Sequence, residues 1–204
     1  IALQDQLIGK DLPQLASATD IRFTATALKG RANYVCLSKI RTADAPETLF
    51  DQRPGDSFAE DLKTVRDFSE ATPTGDRAEL PGSIPDASWA AFSCTGQECP
   101  GANECSDGVE CFAEKARTRA SESEIVVVNH ALACLDIGAE GNVLPHHDIL
   151  IVDEAHALAE AATRSFGADL SPTAIGRLAT LLGKHGATQA MVKNLKTVEK
   201  HLET

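Results

Sequence analysis

The chain has 204 residues, 43% of them hydrophobic and 24% charged, and a formal net charge of −11. This is the make-up of a globular protein of one large or two small domains. The apolar runs are too short for a membrane span, so no membrane partner is expected, and the overall charge excludes a uniformly basic coat for nucleic acid.

The charge is unevenly spread. Between Thr42 and Ala90 eleven acids stand against four bases, whereas the stretch from Lys29 to Arg41 holds Lys29, Arg31, Lys39 and Arg41 and no acid. From Phe112 to Ala120, Lys115, Arg117 and Arg119 stand against Glu114 alone. The acidic excess reads as a solvated face, and each basic stretch lies beside a cysteine. No secretory signal is visible and the chain opens on Ile1, so an excised piece of a longer, cytoplasmic protein is expected.

In chain order, the first helix signal is Ser57 with Glu60, the spacing of a capping box. Phe58, Leu62, Val65 and Phe68 follow on one face. The segment from Ala71 to Asp86, with three prolines and two glycines, predicts a loop. Ile125 to Val128, ended by Asn129-His130, predicts a buried strand, and Ala131 to Ile137 a connecting helix or turn. Ile149-Leu150-Ile151-Val152, stopped by Asp153-Glu154, predicts a second buried parallel strand, and the two together predict an α/β core. Ser171-Pro172 suits a helix start, continued by Ile175, Leu178 and Leu182 and closed by Gly183. Met191, Val192, Leu195, Val198 and Leu202 predict an amphipathic helix that runs on without a stop signal.

Cys94, Cys99, Cys105 and Cys111 are spaced C-x4-C-x5-C-x5-C in a stretch with almost no large apolar residue. A disulfide framework would need a secreted setting, and scattered core cysteines would need a core to join. Thiolates that hold a metal ion or cluster supply what is missing, because ligation replaces an apolar interior. Zinc sites favour ligands two to four residues apart, while iron–sulfur clusters accept more irregular spacing; both readings stay open here. Cys134, beyond the predicted strand, reads as a buried structural cysteine. Cys36 stands apart in KGRANYVC, where Tyr34 is expected in the core.

Asp153-Glu154-Ala155-His156 follows its apolar run directly. An acid at the carboxyl end of a parallel strand projects into a ligand crevice. Asp153 there suits Mg²⁺ held through water, Glu154 suits orienting an attacking water, and His156 suits reporting nucleotide state. The plainer reading is a strand ending in a polar turn. No G-x-x-x-x-G-K-S/T loop occurs, so the chain by itself is expected not to hydrolyse ATP.

In their order, KGRANYVC, the cysteines ending in CFAEKAR, VVVNHAL and ILIVDEAHAL resemble the DinG/XPD-type iron–sulfur DNA helicases, most of all the bacterial DinG-like branch, over roughly residues 1–165. The resemblance implies a partial RecA-like P-loop motor domain with an inserted, mainly helical iron–sulfur domain and the start of a helical arch. Residues 1–28 would belong to the motor, 29–120 to the insertion, 121–165 to motor strands with the DEAH box, and 166–204 to the arch. Leu3-Gln4-Asp5-Gln6-Leu7 would be a motor helix.

The resemblance also implies a 4Fe–4S cluster near the point where strands separate, ligated by Cys36, Cys99, Cys105 and Cys111, with Cys94 left over. The alternative set uses Cys94, Cys99 and Cys105 and leaves Cys111 spare. ATP, Mg²⁺, single-stranded or forked DNA, 5′ to 3′ unwinding and a monomer are implied with it. Lys29, Arg31, Lys115, Arg117 and Arg119 are the candidates for phosphate contact. Two other functions stay open: a non-catalytic zinc module for nucleic acid or protein, and a redox sensor that tunes DNA affinity.

Overall fold

The computed structural model describes residues 2–43, 56–167, 175–176, 178–179, 182 and 188–202. The chain opens as helix α1 (Ala2–Gln6), which passes through a π-helical turn, Leu7–Asp11, into α2 (Leu12–Thr19). Asp20 stops it in the left-handed conformation, φ 57°. Strand β1 (Ala25–Ala27) then pairs in parallel with β2 (Ile125–Val127), in the register Ala25 to Ile125 and Ala27 to Val127. Thr24 and Glu124 lock the entry to this pair. The Thr24 amide donates to Glu124 Oε2 at 2.9 Å, and the Glu124 amide donates to Thr24 Oγ1 at 3.0 Å. The strand predicted from Ile125 is therefore present over Ile125–Val127, half-buried rather than buried, and β1 is its partner.

The described residues between the two strands build most of one interior, which Leu132 also enters. Helices α3 (Leu37–Thr42), α4 (Asp56–Ala71), α5 (Asp86–Phe92) and α6 (Phe112–Ser121) surround it. Leu62, Val65 and Phe68 of α4 are buried at helical spacing, as their periodicity predicts. Val35, Val65 and Phe92 are the largest fully buried side chains, and Phe58 meets Phe92 ring to ring at 5.2 Å. Trp89 buries its indole and donates Nε1–H to the Ala32 carbonyl at 2.7 Å. Tyr34 is in this core, as expected, and its hydroxyl accepts the Lys29 amide.

The predicted loop from Ala71 to Asp86 crosses the core edge, with a single 3-10 turn at Arg77–Glu79. Gly75 is required there. Its φ is +63°, and a Cβ would stand 2.3 Å from Phe112 Cγ, so only glycine lets Phe112 seat at the head of α6.

After β2, the Asn129 side chain caps α7 (His130–Gly138) by accepting the Leu132 amide at 2.8 Å. Cys134 is buried in that helix, as expected. Buried Asp136 takes the amides of Val143 and Leu144 on one carboxylate oxygen and so fixes the turn that follows.

The second predicted strand does not form. Ile149–Val152 runs without strand pairing, and Ile149 and Ile151 are 79% and 87% exposed. A parallel strand needs neighbours at its edges and cover on both faces. Among the described residues the only sheet is the β1–β2 pair, which leaves this run uncovered. The α/β class holds in this reduced form, as a mainly helical chain with one small parallel sheet.

Helix α8 (Leu158–Phe166) follows a 3-10 turn at Ala155–Ala157. Residues 1–161 gather into one compact unit and 162–204 into a second. In the second, the predicted amphipathic helix spans Gln189–Leu202. The helix predicted from Ser171-Pro172 falls largely outside the described residues. No helix among the described residues is long and apolar enough to cross a membrane.

Candidate functional site

The cysteine segment is a chain of turns with neither strand nor helix between Cys94 and Cys111. Its one large apolar residue, Val109, is 88% exposed, so nothing oily holds it. Backbone bonds stack the turns instead: Cys99 N–H to Thr95 O, Cys105 N–H to Gly101 O, and Gly108 N–H to Cys105 O, at 3.0–3.1 Å. A Cβ on Gly108 would fall 1.9 Å from the Ala102 carbonyl oxygen, so the last turn lies directly on the one before.

Cys36 comes to this segment from far upstream. Val35 and Ser93 form an antiparallel bridge, and the Cys36 amide donates to the Phe92 carbonyl at 2.8 Å. Cys36 lies at the head of α3 and Cys111 at the head of α6.

The thiols sense one another. Burial pushes Cys36 up, and Cys111 adds to the shift. Cys94 is pushed up to about 11, first by burial and then by Cys36 and Cys99. Cys36, Cys94, Cys99 and Cys111 therefore share one electrostatic neighbourhood. Among the described residues no three Cys, His, Asp or Glu side chains close into a ligand shell. The donor chemistry nonetheless fits a thiolate-held centre. Thiols that disfavour one another's ionisation are the ones a cation or cluster would stabilise as thiolates.

The basic stretch beside Cys36 braces this segment. Lys39 reaches Glu98, between Cys94 and Cys99, at 3.2 Å. Arg41 pairs with buried Asp107, between Cys105 and Cys111. Arg31 pairs with Glu114 on α6 and lies in reach of the Cys99 and Cys111 charges. Lys29 is itself buried, with its ammonium 2.6 Å from Asp76 and 3.0 Å from Asp5. Burial alone would lower its pKa, but the two carboxylates outweigh that and the net shift is upward. Lys115 is paired with Glu110. Of the predicted phosphate contacts, Arg117 approaches the Asn142 carbonyl at 3.5 Å, and Arg119 is exposed with no ion pair among the described residues.

The DEAH residues lie on an exposed turn. The Glu154 amide donates to Asp153 Oδ1 at 2.9 Å, and Glu154 Oε2 stands 3.2 Å from His156 Nδ1. His130 Nε2 meets the Asp153 carbonyl at 2.8 Å. Sequence reasoning left His130 without a role; the signal was its place at the end of β2, the usual address of a site residue in a parallel sheet.

No family model matches the chain. The ATP-dependent helicase DinG of Mycobacterium tuberculosis is 38% identical over 192 residues, which are 88% of this chain and 29% of that protein. The chain is DinG-like. The ATP-dependent DNA helicase YoaA of Haemophilus influenzae is 35% identical over 179 residues, 83% of this chain and 26% of that protein. The 3′-5′ exonuclease DinG of Bacillus subtilis is 29% identical over 168 residues, 81% of this chain and 17% of that protein. The DinG-like chain thus spans under a third of the length of these relatives.

Proposed function

We propose that this DinG-like chain is the cluster-bearing and DEAH-bearing part of an ATP-dependent DNA helicase that acts on single-stranded or forked DNA with 5′ to 3′ polarity. Residues 1–28 and 121–165 would belong to a RecA-like motor domain, 29–120 to an iron–sulfur insertion, and 166–204 to the start of an arch. The observation that carries the reading is the Val35–Ser93 bridge, which sets Cys36 against the turns that carry the other thiols. Cys36, Cys99, Cys105 and Cys111 would hold a 4Fe–4S cluster, whose ligation orders the turns. Asp153 would hold Mg²⁺ through water, Glu154 would orient the attacking water, and His156 would report nucleotide state. Without a phosphate-binding loop the chain alone does not turn over ATP. Arg117 and Arg119 of α6 are the best placed for DNA phosphates, since Lys29, Arg31 and Lys115 are engaged by carboxylates.

Protein purified without oxygen should be brown, absorb near about 400 nm, and contain iron and labile sulfide. Serine at Cys36, Cys99, Cys105 or Cys111 should remove the iron, and serine at Cys94 should not. Iron loss at Cys94 with retention at Cys111 would shift the ligand set to Cys94, Cys99 and Cys105. Colourless protein with stoichiometric zinc would replace the cluster by a zinc module. In the full-length protein, Glu154→Gln should abolish ATP turnover.

A further inference from the structure

Three non-glycine residues have positive φ among the described residues: Asp20, Glu140 and Glu154. The first two terminate α2 and follow α7, where a left-handed residue is the ordinary stop of a helix. Glu154 is different. It takes φ 48° and ψ 46° at the entry to a 3-10 turn, a sparsely populated conformation for a residue with a β-carbon and here not the end of a helix.

Three hydrogen bonds impose it. The Glu154 amide is held by its neighbour's Oδ1, and the Glu154 carbonyl accepts the Ala157 amide at 2.8 Å. Both are internal to the turn and would move with it. The third comes from outside, from His130 at the head of α7 to the Asp153 carbonyl. A carbonyl can only accept, so Nε2 carries the proton. His130 is half-buried, and the α7 start from which it reaches is fixed by the Asn129 cap and by β2. The Asp153 carbonyl and the Glu154 amide belong to one peptide plane. Gripping the oxygen therefore sets the direction in which the Glu154 side chain leaves the backbone.

We propose that His130 is a positioning residue: its Nε2–H fixes the Asp153–Glu154 peptide and so aims the Glu154 carboxylate. This rests on the reading of Glu154 as the group that orients water for ATP hydrolysis.

The test uses the full-length protein with His130→Ala, His130→Gln and Glu154→Gln. Glutamine can place an N–H donor where Nε2 stands. His130→Ala should lower kcat for DNA-stimulated ATP hydrolysis by about tenfold or more, as misplacement of a reacting group does. KM for ATP, iron content and Tm should stay at wild-type values, and His130→Gln should restore most of kcat. Wild-type kcat in His130→Ala, with Glu154→Gln inactive, overturns the positioning role and leaves the hydrolytic reading standing. Equal losses in both His130 variants, with lower Tm or iron, reduce His130 to a structural residue. Undiminished turnover in Glu154→Gln overturns both readings together.

Discussion

Two neighbouring regions of the first unit are ordered by opposite means. The four-helix interior around Val65 and Phe92 is closed to water and held by apolar burial, at roughly 25 cal/mol for each Å² withdrawn. The turns from Cys94 to Cys111 abut it through Ser93 and Phe112 but bury almost nothing apolar. They are held by backbone bonds and by the Lys39–Glu98 and Arg41–Asp107 pairs, and the proposed cluster would add its ligation to these. Partly exposed pairs contribute little, typically about 0–1 kcal/mol each. The comparison teaches that a basic stretch beside a cysteine can be a brace for ligand loops before it is a track for phosphates.

Stripping the proposed cluster should break the comparison hardest. Structural metal sites contribute on the order of 10 kcal/mol to the segment they order. Chelation should open protease cleavage between Cys94 and Cys111 while α4 and α5 stay protected; equal protection before and after would show that the turns stand without a ligand. Phe92→Ala should do the reverse, lowering the stability of the helical interior by about 3–5 kcal/mol, read as an earlier urea midpoint. Metal content should survive in that variant wherever the chain remains folded.

The smallest effect is on pH. In metal-free protein the Cys36 and Cys94 thiols have raised pKa values, the latter about 11. The folded chain then keeps protons that the unfolded chain releases from about pH 9 upward, so stability falls as pH rises toward 11. Tm should drop between about pH 9 and pH 11 in the stripped protein, and by less in the loaded one, where Cys36 as a ligand thiolate carries no proton and Cys94 alone keeps its raised pKa.

Local patterns were legible where burial is decided locally. The stripe Leu62, Val65, Phe68 and the C-terminal helix follow from side-chain period, and the strand Ile125–Val127 from an unbroken apolar run. β1 was not, because Ala25-Thr26-Ala27 has no apolar run to announce it. Ile149–Val152 has the composition of a strand, but composition does not supply the neighbours that make one. The thiol-bearing segment was legible from spacing and from its lack of apolar residues. Its braces were not, since Arg41 meets Asp107, and His130 meets Asp153, across stretches where no period links the two positions. The same long-range pairing removed Lys29 from the surface that its charge suggested.

The uncovered run ahead of the DEAH turn has a practical corollary. Apolar side chains at 79% and 87% exposure, on a backbone that no strand pairs, form a ready template for another extended segment. Handled by itself at high concentration, the chain would self-associate along Ile149–Val152. A charged residue placed at Ile151 would be the natural gatekeeper for keeping it dispersed.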